Sequence, residues 1–180
     1  AATNIPPSDD REPAIIATLS PGTYTAILSG KEGATGIGLL EIYDLNASAN
    51  SKLGNISTRG SVETQDNVMI GGFILGGTSA EPARVVVRAL GPSLAQAGIL
   101  NPLANPTLQL IDSNGQSVAF NDDWQDDPSQ AAQLQGLSFA PTMVNESAIV
   151  TTLPAGSYTA IVAGQSGTTG VGLIEVYNLQ

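Results

Sequence analysis

The stretch that decides the fold occurs twice in the chain. Residues 149–161 read Ile-Val-Thr-Thr-Leu-Pro-Ala-Gly-Ser-Tyr-Thr-Ala-Ile, and residues 15–27 read Ile-Ile-Ala-Thr-Leu-Ser-Pro-Gly-Thr-Tyr-Thr-Ala-Ile. The likeness continues without a gap to residues 179 and 45 at a constant offset of 134, and 17 of the 31 aligned pairs are identical. A repeat of this length indicates duplicated domains, since solenoid repeats have periods of about 20 to 50 residues.

Each copy predicts three β-strands. In the N-terminal copy, defined here as residues 14–45, the segments 14–19, 23–29 and 37–45 are apolar or rich in β-branched residues. Residues 31–36 predict a glycine-bearing hairpin loop. The third strand is apolar at odd and even positions alike, which is typical of a strand covered on both faces.

Glu41 and Glu175 interrupt that apolar strand at the same place in each copy. Two interpretations stay open. Either the carboxylate reaches solvent at the end of its strand, or it pairs with a cation. The candidate cations are Arg59, Arg84 and Arg88.

Residues 53–141, the front part, have no second copy. They predict two short helical segments at 93–97 and 128–134, a hairpin turn at 112–115, and strands at 53–58, 60–64, 68–75, 83–90, 107–111 and 116–120. With the C-terminal copy (residues 148–179) they give about nine strands, which favours an all-β antiparallel β-sandwich or jelly roll. We therefore divide the chain into a partial repeat at 1–46 with an extended N-terminal arm, a linker at 47–52 and a complete β-sandwich domain at 53–180.

Composition limits the function classes. The chain has 180 residues, a net charge of −10, six scattered basic residues, and neither His nor Cys. Nucleic-acid binding requires clustered Lys and Arg, so we expect no nucleic-acid partner. No apolar run reaches the length of a membrane span, so we expect no membrane insertion. Without His the commonest general base is missing, and we expect no enzyme activity.

Four phrases carry a family resemblance: residues 55–60 (Asn-Ile-Ser-Thr-Arg-Gly), 66–73 (Asp-Asn-Val-Met-Ile-Gly-Gly-Phe), 87–93 (Val-Arg-Ala-Leu-Gly-Pro-Ser) and 154–161. The chain resembles a tandem β-sandwich module of large secreted and surface proteins of environmental bacteria. Residues 106–177 are also similar, more loosely, to the bacterial pre-peptidase C-terminal domain, an extracellular β-sandwich that is appended to enzymes and sometimes binds calcium. Both resemblances imply an extracellular or cell-surface location and a binding or structural role.

An acidic loop at residues 121–127 is the candidate metal site. Clustered carboxylate and amide oxygens on loops are the ligands that Ca²⁺ takes, although the spacing does not match an EF-hand. A solvated acidic loop without metal is the alternative, and no other cofactor is predicted. The tentative calcium ligands are Asp112, Asn114, Asp122, Asp123, Asp126 and Asp127.

Carbohydrate is predicted both as an attached group and as a bound partner. Asn46, Asn55 and Asn145 each begin an Asn-X-Ser triplet, the acceptor pattern for N-glycosylation. Glycans are also conceivable binding partners, although we interpret Trp124 as an anchor for its loop and not as a sugar platform.

The unequal copies suggest the function. Three strands without their front part leave apolar faces and open edges, which favour association. An upstream repeat, a neighbouring subunit or the chain's own domain could cover them. We favour a structural subunit of an extracellular, self-assembling filament that is joined head to tail by strand addition between copies of itself. The alternative is a calcium- or glycan-dependent adhesion module of a larger tandem-repeat surface protein. The residues predicted to form the assembly interface are Ile5, Ile15, Ile16, Ile27, Leu39, Ile42 and Tyr43.

Overall fold

A computed structural model describes residues 5–46, 53–76 and 81–179. The chain divides into two compact units, Ala1–Leu53 and Gly54–Gln180. This division falls beside the predicted start of the complete domain, while the predicted linker itself, 47–52, lies outside the described residues.

The second unit is a β-sandwich with one α-helix, which confirms the predicted all-β class. Its strands are β1 (Asn55–Val62), β2 (Met69–Leu75), β3 (Ala83–Leu90), β4 (Pro106–Asp112), β5 (Ser117–Asn121), β6 (Ser147–Leu153), β7 (Gly156–Gly164) and β8 (Gly170–Asn178). Helix α1 spans Pro128–Gly136, and two short 3-10 helices span Pro92–Ala97 and Gln165–Gly167. The two strands predicted at 53–58 and 60–64 are the single strand β1, so the described strands number eight and not nine.

Two antiparallel four-stranded sheets enclose the core. Sheet A has the order β1-β8-β3-β6, and sheet B has the order β2-β7-β4-β5. Alternate residues of each strand face inward, as the two-residue period of a strand requires. Val85, Leu108, Leu110 and Val162 are among the fully buried side chains between the sheets. Gly71 on β2 also faces the core, and a Cβ there would lie 2.8 Å from the Ile174 side chain, so close side-chain packing explains this glycine.

The three strands of the C-terminal copy do not pair with one another. Strand β8 lies between β1 and β3, β7 lies between β2 and β4, and β6 pairs only with β3. The loop between β7 and β8 therefore crosses from one sheet to the other. The prediction of a hairpin in this repeat was wrong, because every partner strand comes from the front part.

Sheet A carries a second layer on its outer face. Asp127 caps α1 by accepting hydrogen bonds from the backbone of Ser129 and Gln130, at 2.8 and 3.2 Å, and Pro128 takes the first helical turn. Leu134 of the helix packs with Trp124 against the outward side chains of β3 and β6. No corresponding helix among the described residues covers sheet B.

The first unit contains no hydrogen-bonded strand among residues 5–46; its one regular element is a 3-10 turn at Lys31–Gly33. The strands predicted at 14–19, 23–29 and 37–45 are thus not formed there. The physical reason is the pairing seen in the complete unit, in which the equivalent segments depend on strands of a front part. In the described residues no helix is long and apolar enough to cross a membrane.

Candidate functional site: an uncovered repeat and an acidic loop

The N-terminal copy exposes side chains that its C-terminal counterpart buries. Ile15 is 91% exposed whereas the aligned Ile149 is 1% exposed, and Leu19 is 59% exposed whereas Leu153 is 3% exposed. All seven residues predicted for the assembly interface are exposed: Ile5, Ile15, Ile16, Ile27, Leu39, Ile42 and Tyr43. The structure therefore leaves the predicted interface accessible.

Two turns nevertheless have the same local geometry in both copies. The Tyr24 hydroxyl donates to the carbonyl of Ser20 at 2.7 Å, and the aligned Tyr158 donates to Pro154 at 2.9 Å. Left-handed backbone also recurs at aligned positions, with φ of 56° at Glu32 and 54° at Ser166. The N-terminal copy thus has the same turns as the C-terminal copy but no partner strands.

The carboxylate that interrupts the third strand has a different environment in each copy. Glu175 accepts two hydrogen bonds from the Arg88 guanidinium, at 2.9 and 2.5 Å, and both side chains are largely buried. This confirms the cation-pairing interpretation for Glu175 and identifies Arg88 as the partner. Glu41 accepts a hydrogen bond from Tyr43 at 3.0 Å, and the ion pairs formed among the described residues do not include it.

Aromatic rings enclose the Arg88–Glu175 pair. The Arg88 guanidinium lies 5.4 Å from the ring centroid of Tyr177 and 5.9 Å from that of Phe139. The Tyr177 hydroxyl donates to Glu175 at 2.9 Å. Burial, followed by the bond to Glu175, raises the pKa of Tyr177. This cluster joins β3 to β8 on the outer face of sheet A and is structural in character.

The predicted calcium ligands are used mostly for local hydrogen bonding. Asp112 accepts from the backbone of Asn114 and Gln116 at 2.8 and 2.9 Å, and these bonds lower its pKa. Asp127 caps α1. The six predicted calcium ligands do not converge on one point, and the described residues contain no group of three or more acidic side chains placed to hold a metal ion. Calcium binding stays a prediction.

Asp122 lies where the acidic loop meets the C-terminal copy. Partial burial raises its pKa, and the neighbouring charges of Asp123 and Asp126 raise it further. One of its oxygens accepts a hydrogen bond from Gln165 in the C-terminal copy, and the other is buried with no hydrogen-bond partner among the described residues. The front part therefore contacts the repeated segment through this side chain.

Sequence reasoning missed Glu146, which is fully buried. Its Oε1 accepts hydrogen bonds from the backbone of Gly91 and Ser93, at 3.0 and 2.9 Å, and from the Ser93 hydroxyl at 2.5 Å. Its Oε2 has no partner in the described part of the chain. Glu146 thus fixes the start of the 3-10 helix at residue 92, and no sequence pattern around it indicates burial.

The predicted carbohydrate sites lie in different settings. Asn55 is an exposed residue of β1, and Asn46 is also exposed. The Asn145 amide donates to the carbonyl of Ala104 at 2.5 Å. Trp124 is buried, and its indole N–H donates to the carbonyl of Met143 at 3.1 Å, which confirms that it anchors the loop. Glycosylation itself stays a prediction.

A cavity of about 110 Å³ lies beside Ser61, Asn101 and Thr169. Small-molecule sites usually enclose about 300 to 1,000 Å³. This cavity is too small for an organic ligand of ordinary size.

Comparison with solved structures reveals a structural likeness. The chain is similar to the pre-peptidase C-terminal domain of a collagenase from Bacillus anthracis, with 14% identity and a TM-score of 0.42, over 68% of this chain and 88% of that domain. This agrees with the looser of the two resemblances noted in the sequence. Neither the family models nor the curated proteins gave a match.

Proposed function

We propose that the protein is a structural subunit of an extracellular filament in which a neighbouring subunit covers the N-terminal copy. One observation carries the proposal: six large apolar residues of the N-terminal copy are exposed although their aligned counterparts are buried, and both copies keep the same local turns. These residues are Ile15, Ile16, Leu19, Tyr24, Leu28 and Leu40. A segment that is already folded locally loses less conformational entropy when it docks.

Burial of the exposed apolar side chains can supply enough free energy for association. Burying a large aliphatic side chain contributes about 1.5 to 3 kcal/mol. The seven predicted interface residues therefore offer roughly 10 to 20 kcal/mol before costs. Loss of rigid-body freedom costs about 4 to 15 kcal/mol, so a net favourable contact needs most of these side chains buried.

The contact is heterologous, because the donated segment occurs uncovered once in each chain and differs from the surface that receives it. Such head-to-tail contacts propagate into open filaments unless the rotation closes a ring. The lack of His and Cys in the sequence also supports a non-catalytic role.

Electron microscopy and sedimentation of the purified chain over a concentration series test this function. We expect filaments whose amount rises with concentration. Ile15→Asp with Ile27→Asp should abolish them, since charge opposes burial. Thr18→Asp with Thr23→Asp is the matched control, because the aligned Thr152 and Ser157 are exposed even in the complete unit. A monomer at every concentration would refute the filament.

A second candidate is a module of a longer tandem-repeat surface protein, in which an upstream front part completes the N-terminal copy. The pairing of β6, β7 and β8 with front-part strands alone favours it. Lys31 also occupies the position of Gln165, the residue that contacts Asp122 of the front part.

This candidate is tested by placing residues 54–147 directly before residue 14, which reproduces the order found in the complete unit. If an upstream front part is the natural partner, residues 14–45 become protected from hydrogen exchange in a monomer. Persistent fast exchange there would exclude completion by a front part.

A further inference from the structure

We propose that Glu12 and Glu41 are the docking groups through which the N-terminal copy binds the front part that completes it. The segment that they bind reads Arg-Ala-Leu-Gly-Pro-Ser, which is the sequence of residues 88–93. This inference rests on the second candidate above, in which the front part belongs to an upstream repeat, and it names the contacts that select this partner.

Two glutamates of the complete unit bind the same short stretch of the front part. Glu175 accepts two hydrogen bonds from the Arg88 guanidinium. Glu146 accepts from the backbone of Gly91 and Ser93, in the loop that follows β3. Both carboxylates are buried, and buried carboxylates require partners of this kind. The C-terminal copy therefore holds the end of β3 and the following loop through its two carboxylates.

The N-terminal copy and its arm retain both glutamates. Residues 135–180 contain two acidic side chains, Glu146 and Glu175, and the constant offset of 134 places Glu12 and Glu41 at the aligned positions. Both are exposed in the first unit. A solvated position does not require a carboxylate, whereas a position that binds a guanidinium or buried backbone N–H groups favours one. The retained pair therefore indicates a partner that supplies those donors.

Glu41 has the same tyrosine partner as its counterpart. Tyr43 donates to Oε1 of Glu41 at 3.0 Å. Tyr177 donates to Oε1 of Glu175 at 2.9 Å, which leaves Oε2 for the Arg88 guanidinium. The guanidinium also lies 5.4 Å from the Tyr177 ring centroid. The first unit thus already holds together a carboxylate and an aromatic ring, the combination that binds a guanidinium in the second unit.

Glu12 uses one carboxylate oxygen within its own turn. Its Oε2 accepts from the backbone of Ser8 and Asp9, at 3.1 and 3.3 Å. Its counterpart Glu146 likewise binds the loop after β3 through a single oxygen, Oε1. Since one oxygen is sufficient for such a loop, Glu12 can bind one through Oε1 and keep its local turn.

The loop after β3 restricts which partners qualify. A Cβ at Gly91 would come within 2.1 Å of the Leu103 carbonyl oxygen, so this position requires glycine. The Ser93 hydroxyl donates a third hydrogen bond to Glu146. A partner must therefore supply Arg, Gly and Ser at the spacing of residues 88, 91 and 93. A front part of the kind found in this chain meets this requirement, whereas an unrelated apolar strand does not.

The test joins residues 54–134 directly before residue 1 of the full chain. This junction keeps the offset of 134, so Glu12 and Glu41 stand in the same relation to the added front part as Glu146 and Glu175 to the natural one. Completion should protect the amides of the N-terminal copy from hydrogen exchange. Protection of the C-terminal copy in the same molecule reports that the chain is folded.

Neutralising either glutamate should weaken that protection. Glu41→Gln should raise the exchange rate of the N-terminal copy roughly tenfold or more, because it leaves the added guanidinium buried without a counter-charge. Glu12→Gln should raise the rate about threefold to tenfold, since its amide oxygen still accepts from the loop but without a charge. Asp10→Asn is the matched control, because the aligned Val144 is exposed in the complete unit. It should leave the exchange rate unchanged.

A change in the added front part separates direct binding from a merely structural role of Glu41. Replacing the added copy of Arg88 by Met removes the guanidinium that Glu41 binds. In that background Glu41→Gln should raise the exchange rate of the N-terminal copy no further, because two residues in contact are not additive.

The contrary outcomes separate this inference from the function on which it rests. Protection of the N-terminal copy that is unchanged in both glutamate variants overturns the inference and leaves completion by a front part standing. An effect of Glu41→Gln that is equally large with and without the added guanidinium also overturns it. Rapid exchange of the N-terminal copy in the extended wild-type chain overturns both the inference and the second candidate.

Discussion

The two copies of one segment are the most informative comparison in this protein. They share 17 of 31 aligned residues, and they share the same tyrosine hydrogen bond and the same left-handed turn. One copy provides three strands of a sandwich, and the other has no described strand at all. Local sequence therefore specifies the turns of this repeat, whereas its sheet pairing depends on which partner strands are present.

Truncating the aligned isoleucines should give the largest difference between the two copies in the free energy of unfolding. Ile149→Ala should lower the free energy of unfolding of the second unit by about 2 to 5 kcal/mol, because it leaves a cavity in the core. Ile15→Ala should change it by less than about 0.5 kcal/mol in the monomer, because that side chain is exposed. Urea unfolding of dilute protein measures both, and equal losses would show that the N-terminal copy is already packed within its own chain.

Neutralising the aligned glutamates comes next. Glu175→Gln should cost about 3 kcal/mol, since it leaves the buried guanidinium of Arg88 without its counter-charge. Glu41→Gln should have almost no effect on the monomer. The melting temperatures of the two variants provide the measurement. A comparable loss in Glu41→Gln would mean that Glu41 has a buried cation partner in solution.

Removing the aligned tyrosine hydroxyls should have a smaller effect. Tyr158→Phe should cost about 1 kcal/mol, the usual contribution of one hydrogen bond, because it releases the carbonyl of Pro154. Tyr24→Phe should cost a few tenths of a kcal/mol at most, because water replaces the lost bond. Chemical denaturation of the two variants distinguishes these values, and a loss in Tyr24→Phe equal to that in Tyr158→Phe would contradict the comparison.

The smallest effect is expected at Asp122, where the front part meets the repeated segment. Its pKa is raised in the folded state, so protonation favours folding. The stability linked to this group is fully present below pH of about 3.8, the ordinary pKa of Asp, and is lost as pH rises through the higher folded value. Asp122→Asn should therefore raise the melting temperature slightly at pH 7, with the difference vanishing in acid.

The same variant tests calcium. If the acidic loop binds Ca²⁺, the ion should raise the melting temperature of the wild type and not that of Asp122→Asn. An unchanged wild-type melting temperature, both with chelator and with excess Ca²⁺, would remove the calcium prediction. Asp66→Asn is a useful control, because Asp66 is an exposed carboxylate outside the predicted ligand set.

Elements with a strong local signal were predictable. The β-branched run of β3 gave its bounds correctly, Asp112 to Gly115 marked the turn between β4 and β5, and Pro128 marked the start of α1. In each case the residues that decide the structure are neighbours in the sequence. Glu175 was also recognisable as a candidate for an ion pair, because a carboxylate interrupts an otherwise apolar strand.

Non-local features were not predictable in the same way. The order of strands places β8 between β1 and β3, and no local pattern shows that the repeated strands avoid each other. Glu146 reads as an ordinary polar residue, yet the loops around Gly91 bury it. The outward row of sheet B appears only when register brings Ile70, Ile161, Gln109 and Phe120 together.

Hydrogen exchange over a range of protein concentrations tests the central claim most directly. In dilute monomer, amides of residues 14–45 should exchange rapidly while those of residues 148–179 are protected by their sheets. As concentration rises and polymer forms, residues 14–45 should become protected too. Protection of residues 14–45 at the lowest concentration, or rapid exchange there at every concentration, would contradict the claim that a neighbouring molecule covers the N-terminal copy.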